Sequence, residues 1–307
     1  MMKNISVEEL AADWGMDPAA VPHEFLDYFA QVNTSRQPTD KSDLEEYIEA
    51  FLKKTNKSSA RRNDEQNLDI FEQGWAEHRR LLEQECSLAA VMPRYYDNLL
   101  PYYIGGDGRL YKFDNRALGA DLQVLLMRGQ ALTKFKSAGA VHEFGSGSGL
   151  NLLAISSTVP DLPLVGYEWT KSGVELADLI GRLSGRPVSG RHFDMLNPDE
   201  SVNLEGQAVL TCLSIEQLGD RHQAFLDFLI RKKPAFVVHL EPDTTTADGS
   251  VYLNLTHLYM RMRGYTLTLT QTLRRLEAEG RLTIEFCRRL PWMSNFNNWA
   301  CTIWRPR

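Results

Sequence analysis

Three glycines at alternate positions, Gly145, Gly147 and Gly149, are the part of the sequence whose spacing points most directly to ligand chemistry. Glycine allows a positive φ and lets the backbone approach a ligand that a Cβ would exclude. An apolar helix is predicted to begin behind them, and its N-terminus presents free N–H groups to a carboxylate or phosphate. Glu143 stands two residues before the first glycine. The spacing G-x-G-x-G differs from the dinucleotide fingerprint G-x-G-x-x-G, and a tight turn in an unrelated α/β domain is the alternative.

Acidic residues stand at the ends of the four predicted strands that follow this turn: Glu168, Asp194, Glu216 and Glu241. In open α/β sheets, ligands lie at the carboxyl ends of the strands. Glu168 is about twenty residues beyond the glycines, where an acid can accept hydrogen bonds from ribose hydroxyls. Asp194 lies between Phe193 and Met195, so it could receive an exocyclic amine while its neighbours sandwich a flat base.

Glu216 and Glu241 follow adjacent predicted strands and are expected to face the reacting group. Two carboxylates in one cleft repel each other and raise a pKa unless a cation lies between them. A guanidinium fits because it is planar, charged and bonds carboxylates in pairs, and one carboxylate could then take its proton. The alternative is a hydroxyl substrate with a glutamate or His239 as general base. In a purely structural interpretation, Glu216 caps the next helix and Glu241 shapes the turn before Pro242.

The elements that must position these residues alternate between strands and helices after residue 140. This order predicts a parallel sheet covered on both faces. Strands are predicted at 162–168, 188–194, 206–214 and 235–241, with a closing antiparallel pair at the sheet edge, 281–290 and 298–304. Helices are predicted at 172–184, 220–231, 252–263 and 268–279.

The pattern of residues 1–130 predicts a mostly helical region, which precedes the α/β domain of residues 131–307. Helices are expected at about 6–14, 22–32, 39–52 and 68–88, and a short strand at 109–114. The polar segment 55–67 is predicted to be a loop, with a binding patch as the alternative. Trp75 has the spacing of a core residue, yet together with His78 and Arg79 it could instead face a substrate cleft.

Four tyrosines, Tyr95, Tyr96, Tyr102 and Tyr103, occur within nine positions, interrupted by prolines and followed by glycines. This composition favours a lid or pocket wall, where phenols supply both apolar surface and hydrogen bonds. Tyr95 and Tyr102 are therefore predicted to contact substrate. A packed aromatic connector is the alternative.

Residues 140–305 resemble the class I S-adenosylmethionine (SAM) methyltransferases in the glycine motif, the strand order and the acids Glu168 and Asp194 that end the predicted strands 162–168 and 188–194. The resemblance implies a Rossmann-like sheet whose glycines approach the methionine part of SAM. It also implies that Glu168 binds the ribose hydroxyls and Asp194 the adenine amine. Glu143, Met195 and Ser214 are the further positions expected to contact SAM.

The segments around Glu216 and Glu241 narrow the resemblance to bacterial small-molecule enzymes. They are similar to a group described as sugar O-methyltransferases, with free-arginine guanidino N-methyltransferases nearby. The expected reaction is therefore N-methylation of a guanidino or amino compound, such as free L-arginine, in a natural-product pathway. O-methylation of a sugar hydroxyl is the alternative. An NAD-dependent dehydrogenase and a non-catalytic scaffold are the rival functions.

Composition excludes several other classes. The net charge of −6 argues against a nucleic-acid binder, and without a run of 18 apolar residues no transmembrane helix is expected. The four cysteines lack CxxC spacing and are predicted to be reduced core residues in a cytoplasmic protein. No metal is expected, because the sequence has no cluster of metal-ligating residues. The expected partner is a small-molecule substrate, and the helical region is expected to close the site or to mediate dimerisation.

Overall fold

The computed structural model describes residues 3–57, 64–96, 100–243 and 250–307. At the centre of its larger sheet lie two parallel strands in which every residue is buried, β5 (Val141–Phe144) and β8 (Ala208–Cys212). Continuous apolar strands of this kind are typical of a sheet covered on both faces. Side chains alternate between the two faces: Val209 and Val237 belong to one buried cluster, Leu210 and Val238 to another.

Five further strands complete this sheet: β6 (Leu164–Glu168), β7 (Val188–His192), β9 (Phe236–Pro242), β10 (Leu282–Leu290) and β11 (Trp299–Pro306). The order is β10-β11-β9-β8-β5-β6-β7. The predicted fold class, a mostly parallel α/β sheet with an antiparallel element near one edge, is confirmed. The reversed strand is β11, which pairs antiparallel with both neighbours, so it lies one position inside the edge formed by β10.

Helices connect these strands: α6 (Leu150–Thr158), α7 (Lys171–Ser184), α8 (Gln223–Lys232), α9 (Val251–Arg263) and α10 (Leu269–Ala278). Their ends follow local chemistry. Thr170 Oγ1 accepts a hydrogen bond from the Gly173 N–H at 3.2 Å and caps α7. Gly264 ends α9 in the left-handed conformation, which favours glycine. The predicted helices and strands after residue 140 are all present, with bounds that differ by a few residues.

The N-terminal residues form five helices within the described ranges: α1 (Val7–Asp13), α2 (His23–Phe29), α3 (Lys41–Lys57), α4 (Asp64–Gln84) and α5 (Leu118–Thr133). They also form a small antiparallel sheet of β1 (Lys3–Asn4), β2 (Ser35–Pro38), β3 (Tyr102–Ile104) and β4 (Leu110–Phe113), in the order β1-β2-β4-β3. The strand predicted at 109–114 is therefore confirmed. Its partners were missed because strands of two to four residues are too short to show an alternating pattern.

Two expectations for this region need correction. The polar segment predicted as a loop is partly helical: α3 continues to residue 57, α4 begins at residue 64, and residues 58–63 lie outside the described ranges. The boundary at residue 130 falls inside α5, and one buried cluster joins Trp14 and Phe113 to Leu125 and Val141. The helical region and the sheet thus share a core.

Candidate functional site

The glycine turn connects β5 to α6, and its three glycines have φ values of 76°, 53° and 76°. These values lie in the left-handed region, which glycine adopts without strain. A Cβ on Gly145 would collide with the side chain of Ser214 at the end of β8, and a Cβ on Gly149 would collide with Ile180 of α7. The first and third glycines therefore allow close packing of neighbouring elements.

Gly147 faces a different neighbour. A Cβ at this position would lie 3.1 Å from Cζ2 of the Trp75 ring, which α4 brings over the turn. The Gly147 N–H donates to Oε2 of Glu168 at 2.9 Å. The turn is therefore held between an indole from the N-terminal region and the acid that ends β6.

Glu168 is buried, with 4% of its surface exposed. Its Oε1 accepts hydrogen bonds from the Trp169 N–H at 3.0 Å and from the Thr170 N–H at 3.3 Å. Burial raises the pKa of this carboxyl group, and the three backbone N–H donors oppose the rise. Glu168 thus ties the glycine turn to the turn after β6, and its side chain lines a cavity of about 100 Å³.

This smaller cavity also contains the other predicted base-binding residues. Asp194, Phe193 and Met195 line it together with Glu168 and Trp169. The Asp194 carboxylate accepts from the Leu196 N–H at 2.8 Å and from Nδ2 of Asn197 at 2.6 Å, so it also stabilises its own turn. The structure therefore brings together the acids and apolar side chains that the sequence predicted for an adenosine.

A second cavity, of about 410 Å³, lies on the other side of the glycine turn. The two cavities share seven lining residues: Asn67, Phe71, Trp75, Gly145, Gly147, Leu213 and Gln217. A ligand seated in the smaller cavity could therefore extend past the glycines into the larger one. The predicted contacts Glu143, Glu216, Tyr95 and Trp75 all line the larger cavity, and Ser214 lines the smaller one.

Glu143 lines the larger cavity, and a chain of hydrogen bonds holds one of its two carboxylate oxygens. Its Oε1 accepts from Nδ2 of Asn151 at 2.6 Å, and Asn151 Oδ1 accepts from Nε2 of Gln123 at 2.8 Å. Tyr96 donates to the Gln123 amide oxygen, which completes a hydrogen-bonded chain. Oε2 of Glu143 has no partner among the described residues. Burial, with a smaller effect from the charge of Glu168, raises the pKa of Glu143 to about 8.

Glu216 also lines the larger cavity and also has one carboxylate oxygen without a hydrogen-bond partner among the described residues. It is 4% exposed and lies in the short turn after β8, where Leu213 has a φ of 54°. Oε1 accepts from Nε2 of Gln217 at 2.8 Å, whereas no described residue bonds Oε2. Burial and the charge of Glu241 raise its pKa well above the usual range. A cationic ligand would offset the cost of ionising it.

Glu241 does not line either cavity. Its carboxylate accepts hydrogen bonds from the backbone of the turn that carries Glu216: from the Ser214 N–H at 3.1 Å and the Ile215 N–H at 3.2 Å. It also accepts from the Glu216 N–H at 3.4 Å. The predicted clamp of Glu216 and Glu241 around a substrate cation is therefore wrong, because Glu241 faces backbone donors and not the cavity.

His239 and Tyr102 also lie away from the two cavities. Nδ1 of His239 is 2.8 Å from Oγ1 of Thr211, and burial lowers its pKa to about 3. It is therefore a core histidine and not a general base. Tyr102 donates to Oδ1 of Asp43 at 3.1 Å in the N-terminal region. Tyr103, its neighbour, lines the larger cavity instead, because successive residues of a strand face opposite sides; residues 97–99 of the tyrosine segment lie outside the described ranges.

The sequence did not indicate several residues that line the larger cavity. Arg263 and Tyr265 come from the end of α9 and the segment after it, and Gln123 comes from α5. Arginine near a helix C-terminus usually only complements the helix dipole, so its type and position gave no sign of a cavity. Within the described ranges, no group of three or more histidine, cysteine, aspartate or glutamate residues could hold a metal ion. No helix among the same residues is long and apolar enough to cross a membrane.

No family model matches the chain, and no curated protein sequence matches it. Solved structures that are similar to part of this chain include the following three. Magnesium protoporphyrin IX methyltransferase from Synechocystis PCC 6803 is 11% identical, with a TM-score of 0.48 over 62% of this chain and 85% of that one. The [4+2]-cyclase SpnF is 12% identical, with a TM-score of 0.46 over 61% and 80% of the two chains. The neocarzinostatin O-methyltransferase NcsB1, solved with SAM, is 16% identical, with a TM-score of 0.43 over 62% and 58%. Likeness at this level says nothing about the substrate of this chain.

Proposed function

We propose that the chain is a SAM-dependent methyltransferase that acts on a small molecule. The observation that supports this most is the pair of cavities that meet at the glycine turn. The smaller cavity has acids and flat apolar side chains that suit an adenosine, and the larger one has two carboxylates with an unbonded oxygen. A cofactor with a nucleoside at one end and an amino acid at the other fits this arrangement.

Each part of SAM would have a partner among the residues that line the two cavities. Glu168 would receive the ribose hydroxyls, and Asp194 the adenine amine, with Phe193 and Met195 along the base. Oε2 of Glu143, which lacks a partner in the described structure, would accept the ammonium of the methionine part. Trp75 covers the turn between the two ends. Bound SAM would supply a methyl group carried on a positively charged sulfur. The sulfur keeps the electron pair of the broken carbon–sulfur bond, and the leaving product is S-adenosylhomocysteine.

Glu216 would hold the methyl acceptor in the larger cavity. It would position the accepting nitrogen and take a proton from it, which frees the electron pair that forms the new bond to the methyl carbon. The cavity wall of Tyr95, Tyr96 and Trp75 excludes water. We propose a guanidino or amino compound as the acceptor, with free L-arginine the first candidate, since a cation offsets the cost of a buried carboxylate. A sugar hydroxyl is the alternative and belongs in the same assay.

Calorimetry with SAM, S-adenosylhomocysteine and NAD tests the cofactor. We expect both SAM compounds to bind, and Asp194→Ala to weaken both by roughly tenfold, the loss of one charge-assisted hydrogen bond. Asp161→Ala is the matched control because Asp161 precedes β6 at the opposite edge of the sheet. Binding of NAD without SAM would reject the proposal. Mass spectrometry of reactions with amino acids, amines and sugars then identifies the acceptor.

A further inference from the structure

The larger cavity contains a cation as well as acids. Arg263, the last residue of α9, lines it together with Tyr259, Tyr265 and Glu216. We infer that Arg263 binds a carboxylate of the substrate while Glu216 binds its cationic nitrogen, so that the substrate is a zwitterion of the amino-acid class. This inference rests on the proposed methyltransferase function and narrows its substrate.

The guanidinium of Arg263 is available to an anion. The residue is half-buried, its Nε donates to the Tyr265 hydroxyl at 3.3 Å, and the guanidinium carbon lies 5.4 Å from the centre of the Tyr265 ring. Among the ion pairs of the described residues, none involves Arg263. Because arginine stays protonated at any accessible pH, Arg263 brings a positive charge to the cavity, and no described carboxylate forms an ion pair with it. A carboxylate would bind it through paired hydrogen bonds.

A direct backbone link fixes the two charged ends relative to each other. The Thr266 N–H donates to the backbone carbonyl oxygen of Glu216 at 3.0 Å. Asp220 holds the same segment, since its Oδ1 accepts from the Thr268 hydroxyl at 2.7 Å and from the Leu267 N–H at 3.3 Å. The cation after α9 and the acid after β8 therefore belong to one hydrogen-bonded unit. Their separation is set by the fold, which would select substrates by length as well as by charge.

The dipole of α9, which favours a cation in the last turn of the helix, does not explain why Arg263 lines the cavity. Arg261 lies in the same last turn and is exposed, so the helix already has a cation that does not enter the cavity. Burial lowers the pKa of Arg263, but the neighbouring Tyr265, Tyr259 and Glu216 outweigh burial and raise it, so the surroundings keep a charged guanidinium at the wall of the cavity. The two arginines thus provide a matched pair that differs in access to the cavity.

The test compares amino acids with their decarboxylated analogues: L-arginine with agmatine, L-ornithine with putrescine, and L-lysine with cadaverine. We expect the wild-type protein to methylate an amino acid at least tenfold faster than its partner amine. The same preference should appear in calorimetric binding to the protein saturated with S-adenosylhomocysteine, which does not require turnover. Arg263→Gln should reduce binding and turnover of the amino acid by about 10-fold to 100-fold, the loss of one charged hydrogen-bonded contact, and should leave the amine unchanged. Arg261→Gln should change neither.

Three results would overturn the inference. They are equal activity on an amino acid and its amine, an equal loss on both in Arg263→Gln, and failure to bind or methylate any amino acid in the set. If SAM still binds in that last case, the cofactor proposal stands and only the zwitterion is rejected. If SAM does not bind, the methyltransferase proposal itself fails. Unfolding curves of the two arginine variants that match the wild type exclude a folding defect as the cause.

Discussion

At the scale of single residues, the buried carboxylates of the site fall into two kinds. Glu168 and Glu241 each accept hydrogen bonds from three backbone N–H groups. Glu143 and Glu216 each keep an oxygen that no described residue bonds. Both acids of the first kind hold turns in place, and of these two only Glu168 also lines a cavity. Both acids of the second kind line the larger cavity. Both kinds occupy the ends of strands or the turns after them, so their positions alone do not separate them.

Variants at Glu216 and Glu241 should separate these two roles. Glu216→Gln should reduce turnover by roughly 10²-fold because a general base is lost, and its affinity for SAM should stay near the wild-type value. Glu241→Gln should instead destabilise the protein by about 1–3 kcal/mol, since an amide cannot accept all of these backbone hydrogen bonds. Chemical denaturation, calorimetry and single-turnover rates measure the three effects. Equal loss of turnover with equal stability in the two variants would contradict this division.

Glu143 should make stability depend on pH. Its pKa rises from 4.5 to about 8 on folding, so the folded state holds a proton that the unfolded state has lost between these values. Its contribution to stability is present below pH 4.5 and declines as the pH rises towards 8. We expect the melting temperature to fall between pH 5 and pH 8.5, and less steeply in Glu143→Gln, which keeps an oxygen for Asn151. Glu45→Gln, on the exposed side of α3, should leave the slope unchanged. A Glu143→Gln profile parallel to that of the wild type would refute the assignment.

The sequence predicted where the acids lie but not what they bind. Strand ends are visible in the apolar pattern, and Glu168, Asp194 and Glu216 do line the two cavities at this edge of the sheet. The direction of a side chain at a strand end depends on neighbouring turns, and the turn that carries Ser214 and Ile215 draws Glu241 away from the cavity. Such contacts between residues far apart in sequence leave no periodic signal.

At the scale of elements, α4 lies over the glycine turn and is anchored at two points. The Ser172 N–H donates to both carboxylate oxygens of Glu72, at 3.1 Å to Oε1 and 3.2 Å to Oε2. This contact places a negative charge at the start of α7, where the helix dipole favours it. Asp64 accepts two hydrogen bonds from Arg221, each 2.8 Å long. On the same helix, the Phe71 and Trp75 rings stack with their centres 5.7 Å apart. The amphipathic pattern of α4 predicted a buried face and offered Trp75 as a residue of a cleft, but it did not predict that the indole covers the glycine turn.

Replacement of Trp75 should therefore weaken cofactor binding. Trp75→Ala removes the ring over Gly147 and opens the boundary of both cavities, and we expect the affinity for S-adenosylhomocysteine to fall about tenfold, the size typical of one aromatic contact. Leu81→Ala is the control on the same helix because Leu81 is 41% exposed. Calorimetry measures both variants. Unchanged affinity in Trp75→Ala would show that α4 does not contact the cofactor.

At the scale of the whole molecule, the N-terminal residues and the sheet share one buried core. Phe25 of α2 packs edge-on against Trp14 with ring centres 6.1 Å apart, and its ring contacts α5 near Gly129. Both aromatic residues belong to the buried cluster that includes strand residues Val141 and Leu210. The sequence predicted two regions because the element types change near residue 140. It could not show that the helices before this point pack on the sheet that follows.

This shared core predicts the result of a truncation. Removal of residues 1–115 would expose the apolar residues of α5 and one face of the sheet, so we expect a fragment of residues 116–307 to aggregate rather than to bind SAM weakly. In the full chain, tryptophan fluorescence and far-ultraviolet circular dichroism should report one coincident thermal transition. Phe25→Ala should shift both signals together, with a loss of about 3–5 kcal/mol. Leu52→Ala, at a residue that is 54% exposed, should shift neither. Two separate transitions, with the earlier one moved by Phe25→Ala, or a soluble fragment that binds S-adenosylhomocysteine, would show instead that the sheet folds without its N-terminal helices.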